Sequence, residues 1–489
     1  MKVVLFFVKW NLSAGCKASL MAVFVSVLLL SLIFNTGFSL PVRTTVTIYV
    51  DASNSGDPLE DGSPDHPFNR IQEGVDVAGI GDTVRVAAGI YYEHVVINRS
   101  LRLLGEDRYT TIIDGERTSR NGTMVTVNGD NVTICGFTVR NSGEFMAPLY
   151  EGGGISIRGY AGIFLNYSGG HNVSGNTLTN NQRGIVLVHS NGSSVFGNKV
   201  VSVVNNFALV YSINNTVERN VMSRVDGDCV YSWGSYRNTF RDNSLISNGA
   251  GFVLKAGSIN NTFTGNTLLD NGLGVWLAFS DGNVFYHNNF INNSGWFGAQ
   301  VNQSVSTGLW DGGYPVGGNF WSDYVGVDEY SGVYQNETGA DGIGDSPYVV
   351  GMAGGDRYPL MNVWDEIPPM ADAGGDQTVW VGDVVVLNAS GSFDNVGVVG
   401  YEWDFGDGAH GTGVVESHVY VEKGVYDVVL WVEDVGGNSD SACVRVSVRA
   451  RFSGFIWWIV GVVVALAALV FAGYLVKVRK HGGKIQRGG

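Results

Sequence analysis

Asn215-Thr-Val-Glu-Arg-Asn220, Asn238-Thr-Phe-Arg-Asp-Asn243, Asn261-Thr-Phe-Thr-Gly-Asn266 and Asn283-Val-Phe-Tyr-His-Asn288 restate one phrase, already present at His171-Asn-Val-Ser-Gly-Asn176 and Ser193-Ser-Val-Phe-Gly-Asn198. The closing asparagines Asn176, Asn198, Asn220, Asn243, Asn266 and Asn288 follow one another at 22, 22, 23, 23 and 22 residues. Three positions before each stands Val173, Val195, Val217, Phe240, Phe263 or Phe285, and two positions after stands Leu178, Val200, Met222, Leu245, Leu268 or Phe290. A fixed period with apolar residues at fixed points implies stacked units that share a core. The patterns inside a unit are short and strand-like, as in Gly184-Ile-Val-Leu-Val188 and Gly274-Val-Trp-Leu277, with Gly and Asn between them. No unit holds a helix-length apolar periodicity, which excludes ankyrin and tetratricopeptide arrays, and the Leu ladder of leucine-rich repeats is missing. The expected fold is an all-β, right-handed parallel β-helix with one strand-to-strand rise of about 4.8 Å per rung. Asn at a turn in every rung suits left-handed backbone, and its amides are expected to stack as a ladder.

Ahead of the repeats, Thr45 to Val50 reads as a strand. Asn69-Arg-Ile-Gln72 has the form of a capping box opening a short helix to about Ala78, with Ile71 and Val75 on one face, and that helix would cap the first rung. The order Asp-Gly-Ser-Pro, Pro-Phe-Asn-Arg-Ile-Gln, Gly-Asp-Thr-Val and Gly89-Ile-Tyr-Tyr-Glu93 resembles the N-terminal part of pectate-lyase-like β-helix proteins. The repeats from 152 to 295 resemble the NosD family, and Gly318-Asn-Phe-Trp-Ser-Asp-Tyr324, Asp341-Gly-Ile-Gly-Asp-Ser-Pro-Tyr348 and Asp356-Arg-Tyr-Pro-Leu360 resemble the closing segment of its archaeal members. The NosD resemblance implies an association with copper maturation of nitrous oxide reductase. Copper requires Cys, Met or His in one place, and His94, His171, His189 and His287 are dispersed in the sequence.

The β-helix is expected over 45–308 and its closing segment over 309–365. From 368 to 449 the alternation becomes strict, and Tyr401-Glu-Trp-Asp-Phe-Gly-Asp-Gly408 with His418-Val-Tyr420 and Gly424-Val-Tyr426 resembles the PKD domain, a small immunoglobulin-like sandwich. That resemblance places Trp403 in a core and Asp407 in a turn.

The two ends read as export and anchoring signals. Residues 1–40 carry Lys2, Lys9 and Lys17 before an apolar run and then Gly37-Phe38-Ser39, the form of a signal peptide. Residues 455–476 are 22 in a row without a charge, flanked by a basic tail at 477–489, the form of a transmembrane helix with its tail in the cytoplasm. The segment 41–451 then holds 22 Lys plus Arg against 45 Asp plus Glu, about −23, which disfavours nucleic acid. Its sequons, at Asn98, Asn121, Asn131, Asn166, Asn172, Asn191, Asn214, Asn260, Asn292, Asn302, Asn336 and Asn388, are glycosylation candidates. Four scattered cysteines give no disulfide framework.

A solenoid exposes side chains in rows at rung spacing, a geometry for tracking an extended polysaccharide. The aromatic residues Trp276, Trp233 and Tyr236 are candidates for stacking on sugar rings, together with Phe279. Trp276 lies between Val275 and Leu277, so it faces out if they face in. Asp226, Asp228 and Arg224 are the candidates for a catalytic set of a lyase or hydrolase, with solvated turn charges as the plainer alternative. Asp341, Asp345 and Asp356 are candidate calcium ligands without a full calcium loop. The expected function is non-catalytic: polysaccharide binding, adhesion or envelope structure on a cell surface, with polysaccharide or envelope glycoproteins as partners.

Overall fold

The structure is a computed structural model and describes residues 44–116, 122–143, 148–295, 299–304, 306–351, 354–450 and 455–482. The signal-like residues 1–40, Asn121 and the end of the basic tail lie outside the described residues.

The repeats form a parallel β-solenoid. One stack of 11 parallel strands runs from Thr47–Val50 through Asn172–Ser174 and Thr239–Arg241 to Gly308–Leu309, each paired in register with the rung above. The other faces form a 17-stranded sheet, because the 12-residue strands Thr177–Val188 and Lys199–Val210 run round a corner and belong to both. The apolar repeat positions meet inside: Val173, Val195, Val217, Phe240, Phe263 and Phe285 are all at most 1% exposed. Phe240, Phe263, Phe285 and Trp310 stack at 4.9, 4.5 and 4.5 Å between ring centroids. Phe290, Trp321 and Tyr348 continue the second column at 4.2 Å each, so the closing segment plugs the open core with aromatic rings.

The repeated asparagines form ladders, but their backbone is not the left-handed one. The residue before each takes that conformation: Gly175, Gly197, Arg219, Asp242, Gly265 and His287 have φ of 61, 63, 52, 56, 65 and 56°. This turns the next asparagine inward, where Asn176, Asn198, Asn220, Asn243, Asn266, Asn288 and Asn319 pass an amide bond from Nδ2 to the following Oδ1 at 2.9–3.1 Å. Asp356, 0% exposed, ends this column by accepting from Asn319 and from the indole of Trp321. Two further ladders, Asn215–Asn238–Asn261–Asn283 and Asn248–Asn271–Asn293, line other corners. Each buried amide thereby satisfies backbone groups that the turns leave open.

The cap helix spans Ile71–Val77 and buries Ile71 and Val75, yet the expected capping box does not form, since no side chain of its own start caps it. Glu93 caps it instead, accepting from the amides of Ile71 and Gln72 at 2.7 and 3.0 Å. A carboxylate at a helix start matches its exposed N–H groups.

The PKD-like segment is a sandwich of a five-stranded and a two-stranded sheet with its own core around Trp403, Tyr420, Val428 and Leu430. Asp407 holds the Gly406–Gly408 turn through the amide of Ala409 and pairs with His418 at 2.7 Å. A helix spans Phe455–Gly482, and the described side chains 461–477 are exposed. Among the described residues no helix is long and apolar enough to cross a membrane.

Candidate functional site

Outward positions on the 17-stranded sheet fall into rows by strand register. One row reads Phe164, Val186, Ala208, Tyr231, Val253, Trp276, and the next reads Val188, Val210, Trp233, Lys255, Ala278. Their neighbours along each strand, such as Ile163, Leu187, Val230, Val275 and Leu277, point inside. Both rows are therefore external, and the first three rungs are apolar because something covers them. The cover is an antiparallel hairpin, Pro148–Gly152 with Ile155–Arg158, which buries Phe164, Val186, Val188, Ala208 and Val210 beneath Leu149, Ile155 and Ile157.

Beyond the hairpin the rows become aromatic, with Tyr231, Trp233, Lys255 and Trp276 half-buried and Val253 fully buried between them. Tyr231 and Trp233 lie 6.5 Å apart with planes 22° from parallel, and Lys255 Nζ sits 4.2 Å from the Trp276 ring and 5.8 Å from Tyr231. The Trp233 indole donates to Tyr211 Oη at 3.2 Å, and Tyr211 donates to Gly153 O at 2.6 Å, so the hairpin tip and the aromatic surface are tied. Gly234 leaves room for this arrangement: a Cβ there would stand 2.6 Å from the Tyr211 ring. A second stack, Tyr167, His189 and Tyr211, runs along the neighbouring corner at 4.5 and 5.2 Å. The indole Nε1 of Trp276 is buried and has no acceptor.

A polar row borders the aromatics. Arg183, 8% exposed, bonds Asn205 and donates from Nε to Arg158 O, while Asn205 Nδ2 donates to the carbonyl of Asp228 at 2.7 Å. Burial pushes the Asp228 carboxyl up from the usual range, against the pull of Lys255 and Arg183. Burial likewise holds the Arg183 guanidinium down to about 10 and raises the Tyr231 phenol to about 12. The arrangement offers flat rings beside hydrogen-bonding and charged groups, the chemistry that suits a sugar.

The structure distributes the residues singled out from sequence unevenly. Trp276 faces outward between buried Val275 and Leu277, and it joins Trp233 and Asp228 on this face. Asp226 and Arg224 are exposed, and the indole and carboxylate contacts above do not include them. Tyr236 and Phe279 are also exposed. Asp341 is exposed and Asp345 half-buried, both binding loop amides, whereas Asp356 is the buried end of the asparagine ladder. Asn98, Asn131, Asn191, Asn214, Asn260, Asn292, Asn336 and Asn388 are exposed, while Asn166, Asn172 and Asn302 are half-buried. Tyr231, Lys255 and Arg183 were missed in the sequence. Tyr231 and Lys255 occupy outward positions in the same register as Trp276 and Trp233, and that register was the available signal.

One carboxylate group lies elsewhere: an oxygen from each of Asp365, Asp394 and Asp434 is within 4.8 Å of the others.

The family model described as periplasmic copper-binding protein (NosD) matches residues 81–326, and the PKD domain model matches 366–448. Collagenase ColA of Bacillus cereus is 41% identical over 56 residues, 12% of this chain and 6% of its own, and ColQ1 of the same species is 35% identical over 82 residues, 17% and 8%. The chain thus spans under a tenth of either collagenase's length. Among solved structures, DFA-IIIase from Arthrobacter chlorophenolicus A6 is similar over 56% of this chain and 82% of its own, at 14% identity and a TM-score of 0.40.

A copper centre needs convergent soft or imidazole donors. Among the described residues, the three aspartates are the one group of three or more His, Cys, Asp or Glu that converges. His94, His189 and His287 hydrogen-bond Thr123, Tyr150 and Val316, and His171 bonds Ser168 and the amide of Val132. These histidines do not fit a copper site. The match to residues 81–326 covers half of the chain, and with the solenoid that carries it this protein belongs to the NosD family of parallel β-helix proteins, joined to a PKD domain.

Proposed function

We propose that this protein recognises glycan chains, without cleaving them, at the open aromatic face of its β-solenoid. The reading is carried by one observation: Tyr231, Trp233, Lys255 and Trp276 form an external aromatic and cationic surface just past the edge of a covering hairpin. These half-buried rings leave part of their apolar area in water, and sugars present matching apolar faces. The hairpin closes one end, so a chain would lie across the later rungs. Export by the N-terminal segment and anchoring by the Phe455–Gly482 helix belong to the same proposal. They rest on the 22 uncharged residues 455–476 and the basic residues after them.

The test is the full chain in detergent, incubated with a polysaccharide panel with and without calcium, scoring retention and chain shortening. Trp276→Ala is expected to weaken retention about tenfold, the loss of a stacking contact of about 1.5 kcal/mol. Unchanged binding in Trp276→Ala and in Trp233→Ala would refute the site. A hydrolytic reading has a specific support in Asp228, whose raised carboxyl suits a general acid. Chain shortening abolished by Asp228→Asn would establish it in place of simple recognition.

A further inference from the structure

The corner that follows the aromatic face carries a column of its own. Its members come directly after the paired strand positions Asn166, Val188, Val210, Trp233, Lys255 and Ala278, and they are Tyr167, His189, Tyr211, Gly234, Ala256 and Phe279. Their amides continue the ladder: Tyr167 N donates to Val188 O, Tyr211 N to Trp233 O and Ala256 N to Ala278 O at 2.9, 2.9 and 3.2 Å. All six are left-handed, with φ of 49, 46, 49, 58, 52 and 54°. A bulky side chain seldom takes that backbone, yet a ring stands at Tyr167, His189, Tyr211 and Phe279.

The rings at the hairpin end stack on one another. Tyr167 lies on His189 at 4.5 Å with planes 25° apart, and His189 lies on Tyr211 at 5.2 Å with planes 21° apart. Tyr150 of the hairpin stands edge-on to His189 at 5.9 Å. Phe279, at the other end, is 71% exposed and touches no other ring among the described residues. It bears the left-handed backbone and the exposed apolar surface without the stacking that accompanies them in the first three.

Between Tyr211 and Phe279 the column holds only Gly234 and Ala256. Tyr211 leans into the first of these rungs, since a Cβ at Gly234 would stand 2.6 Å from its Cε1 and 2.7 Å from its Cδ1. The Ala256 rung carries no ring. Ala256 is exposed, and a Cβ on the next residue, Gly257, would meet nothing within 4 Å. Rungs rise about 4.8 Å each, so the Gly234 and Phe279 rungs lie about 10 Å apart, room for one flat ring at stacking distance from both neighbours.

We propose, resting on the glycan reading above, that the Ala256 rung is a subsite for one pyranose residue, inserted between Tyr211 and Phe279 as the missing member of the stack. The column sets the shape of the occupant, because each member offers a flat face to the next. A pyranose has C–H groups on both faces and hydroxyls at its rim, so its faces suit the two rings while its rim meets water and the Lys255 ammonium beside them. A nucleobase is also flat, but an acidic chain of net charge −15 repels the phosphates that accompany it. Lys255 and Trp233 directly precede Ala256 and Gly234, so the subsite opens at the edge of the aromatic face and is continuous with it.

The experiment uses the full chain in detergent, titrated with the methyl β-glycosides of glucose, galactose, N-acetylglucosamine and glucuronic acid. Adenosine serves as the competing flat ring, and binding is followed by saturation-transfer NMR beside the polysaccharide panel. Ala256→Phe fills the rung from within. It should fold with an unchanged or raised melting temperature, because Tyr211 and Phe279 already hold rings at φ 49 and 54°. Phe279→Leu removes the far wall and leaves the rung empty. At least one glycoside is expected to bind, with a dissociation constant raised about tenfold in each variant, while Trp276→Ala leaves glycoside binding unchanged and lowers polysaccharide retention. Glycoside binding unchanged in Ala256→Phe and Phe279→Leu, or uptake of adenosine alone, overturns the subsite. Polysaccharide retention that still falls in Trp276→Ala then leaves the aromatic face standing without it. No retention of any polysaccharide and no glycoside binding overturns both.

Discussion

Replacing Asn243 by Ala removes one step of the longest internal ladder. Asn243 is fully buried, and its Nδ2 donates to Asn266 Oδ1 at 2.9 Å and to Val217 O at 2.8 Å. Its Oδ1 accepts from Asn220 N at 3.1 Å and Asn220 Nδ2 at 3.0 Å. Alanine deletes all four bonds and leaves the Asn220 N–H and the Val217 carbonyl without that partner, while the Asn243 amide keeps its bond to Asn266. With about 1 kcal/mol net for a hydrogen bond and 1–3 kcal/mol for a stranded buried group, the expected loss is about 4 kcal/mol. Asn214→Ala is the control, since Asn214 is exposed and left-handed at φ 55°, and alanine there should cost only about 1 kcal/mol. The assay is guanidinium denaturation with amide exchange at rungs 217–266 as a local readout, because repeat arrays need not unfold in one step. Equal losses in the two variants would refute the claim that the ladder, and not the turn backbone, holds the corner.

Phe263→Ala, in the middle of the interior ring stack, should cost about 3–5 kcal/mol in the same denaturation assay, with the cavity term adding to lost transfer. Gly234→Ala forces a Cβ against Tyr211 at a φ of 58°, and it should raise amide exchange across the hairpin 148–158 while leaving the rungs after Thr262 unchanged. Burial lifts the Asp356 carboxyl to about 7, above its ordinary value of 3.8. The proton is therefore held more tightly in the folded chain, and this contribution to stability is complete below pH about 4 and lost as pH rises through 7. Asp356→Asn should flatten that part of the melting-temperature profile between pH 4 and 8.

The period of the asparagines was enough to give the solenoid, because each rung must present the same apolar points to the same core. It was not enough to place the turn geometry. Asn and Gly both favour left-handed backbone, but here Gly175, Arg219 and His287 take that strain one residue earlier and leave the amide free to point inward. The helix cap failed for a related reason, since Glu93, two strands away from Ile71 in sequence, reaches its amides better than Asn69 does. Trp276 was legible because its neighbours are core residues on both sides. Its companions were not, because Tyr231 and Lys255 resemble any partly buried strand residue until the register aligns them. The hairpin that covers Phe164 and Val186 had no local signal at all, since its packing is across rungs.

The internal ladders also explain why the outer face is free to carry chemistry. Asn215, Asn238, Asn261 and Asn283, and their counterparts at other corners, satisfy the turn backbone from inside, so outward side chains are not needed to hold the rungs together. An outward position can then change from Val186 to Ala208 to Tyr231 to Trp276 without disturbing the stack beneath it. Where such a row is apolar and covered, as under the hairpin, it adds to stability. Where it is aromatic and only half-buried, beside Asp228 and Lys255, part of its apolar area is left in water. In an acidic chain of net charge −15, one cation seated over two half-buried rings at that place supports the proposed ligand with both apolar and hydroxyl-bearing faces.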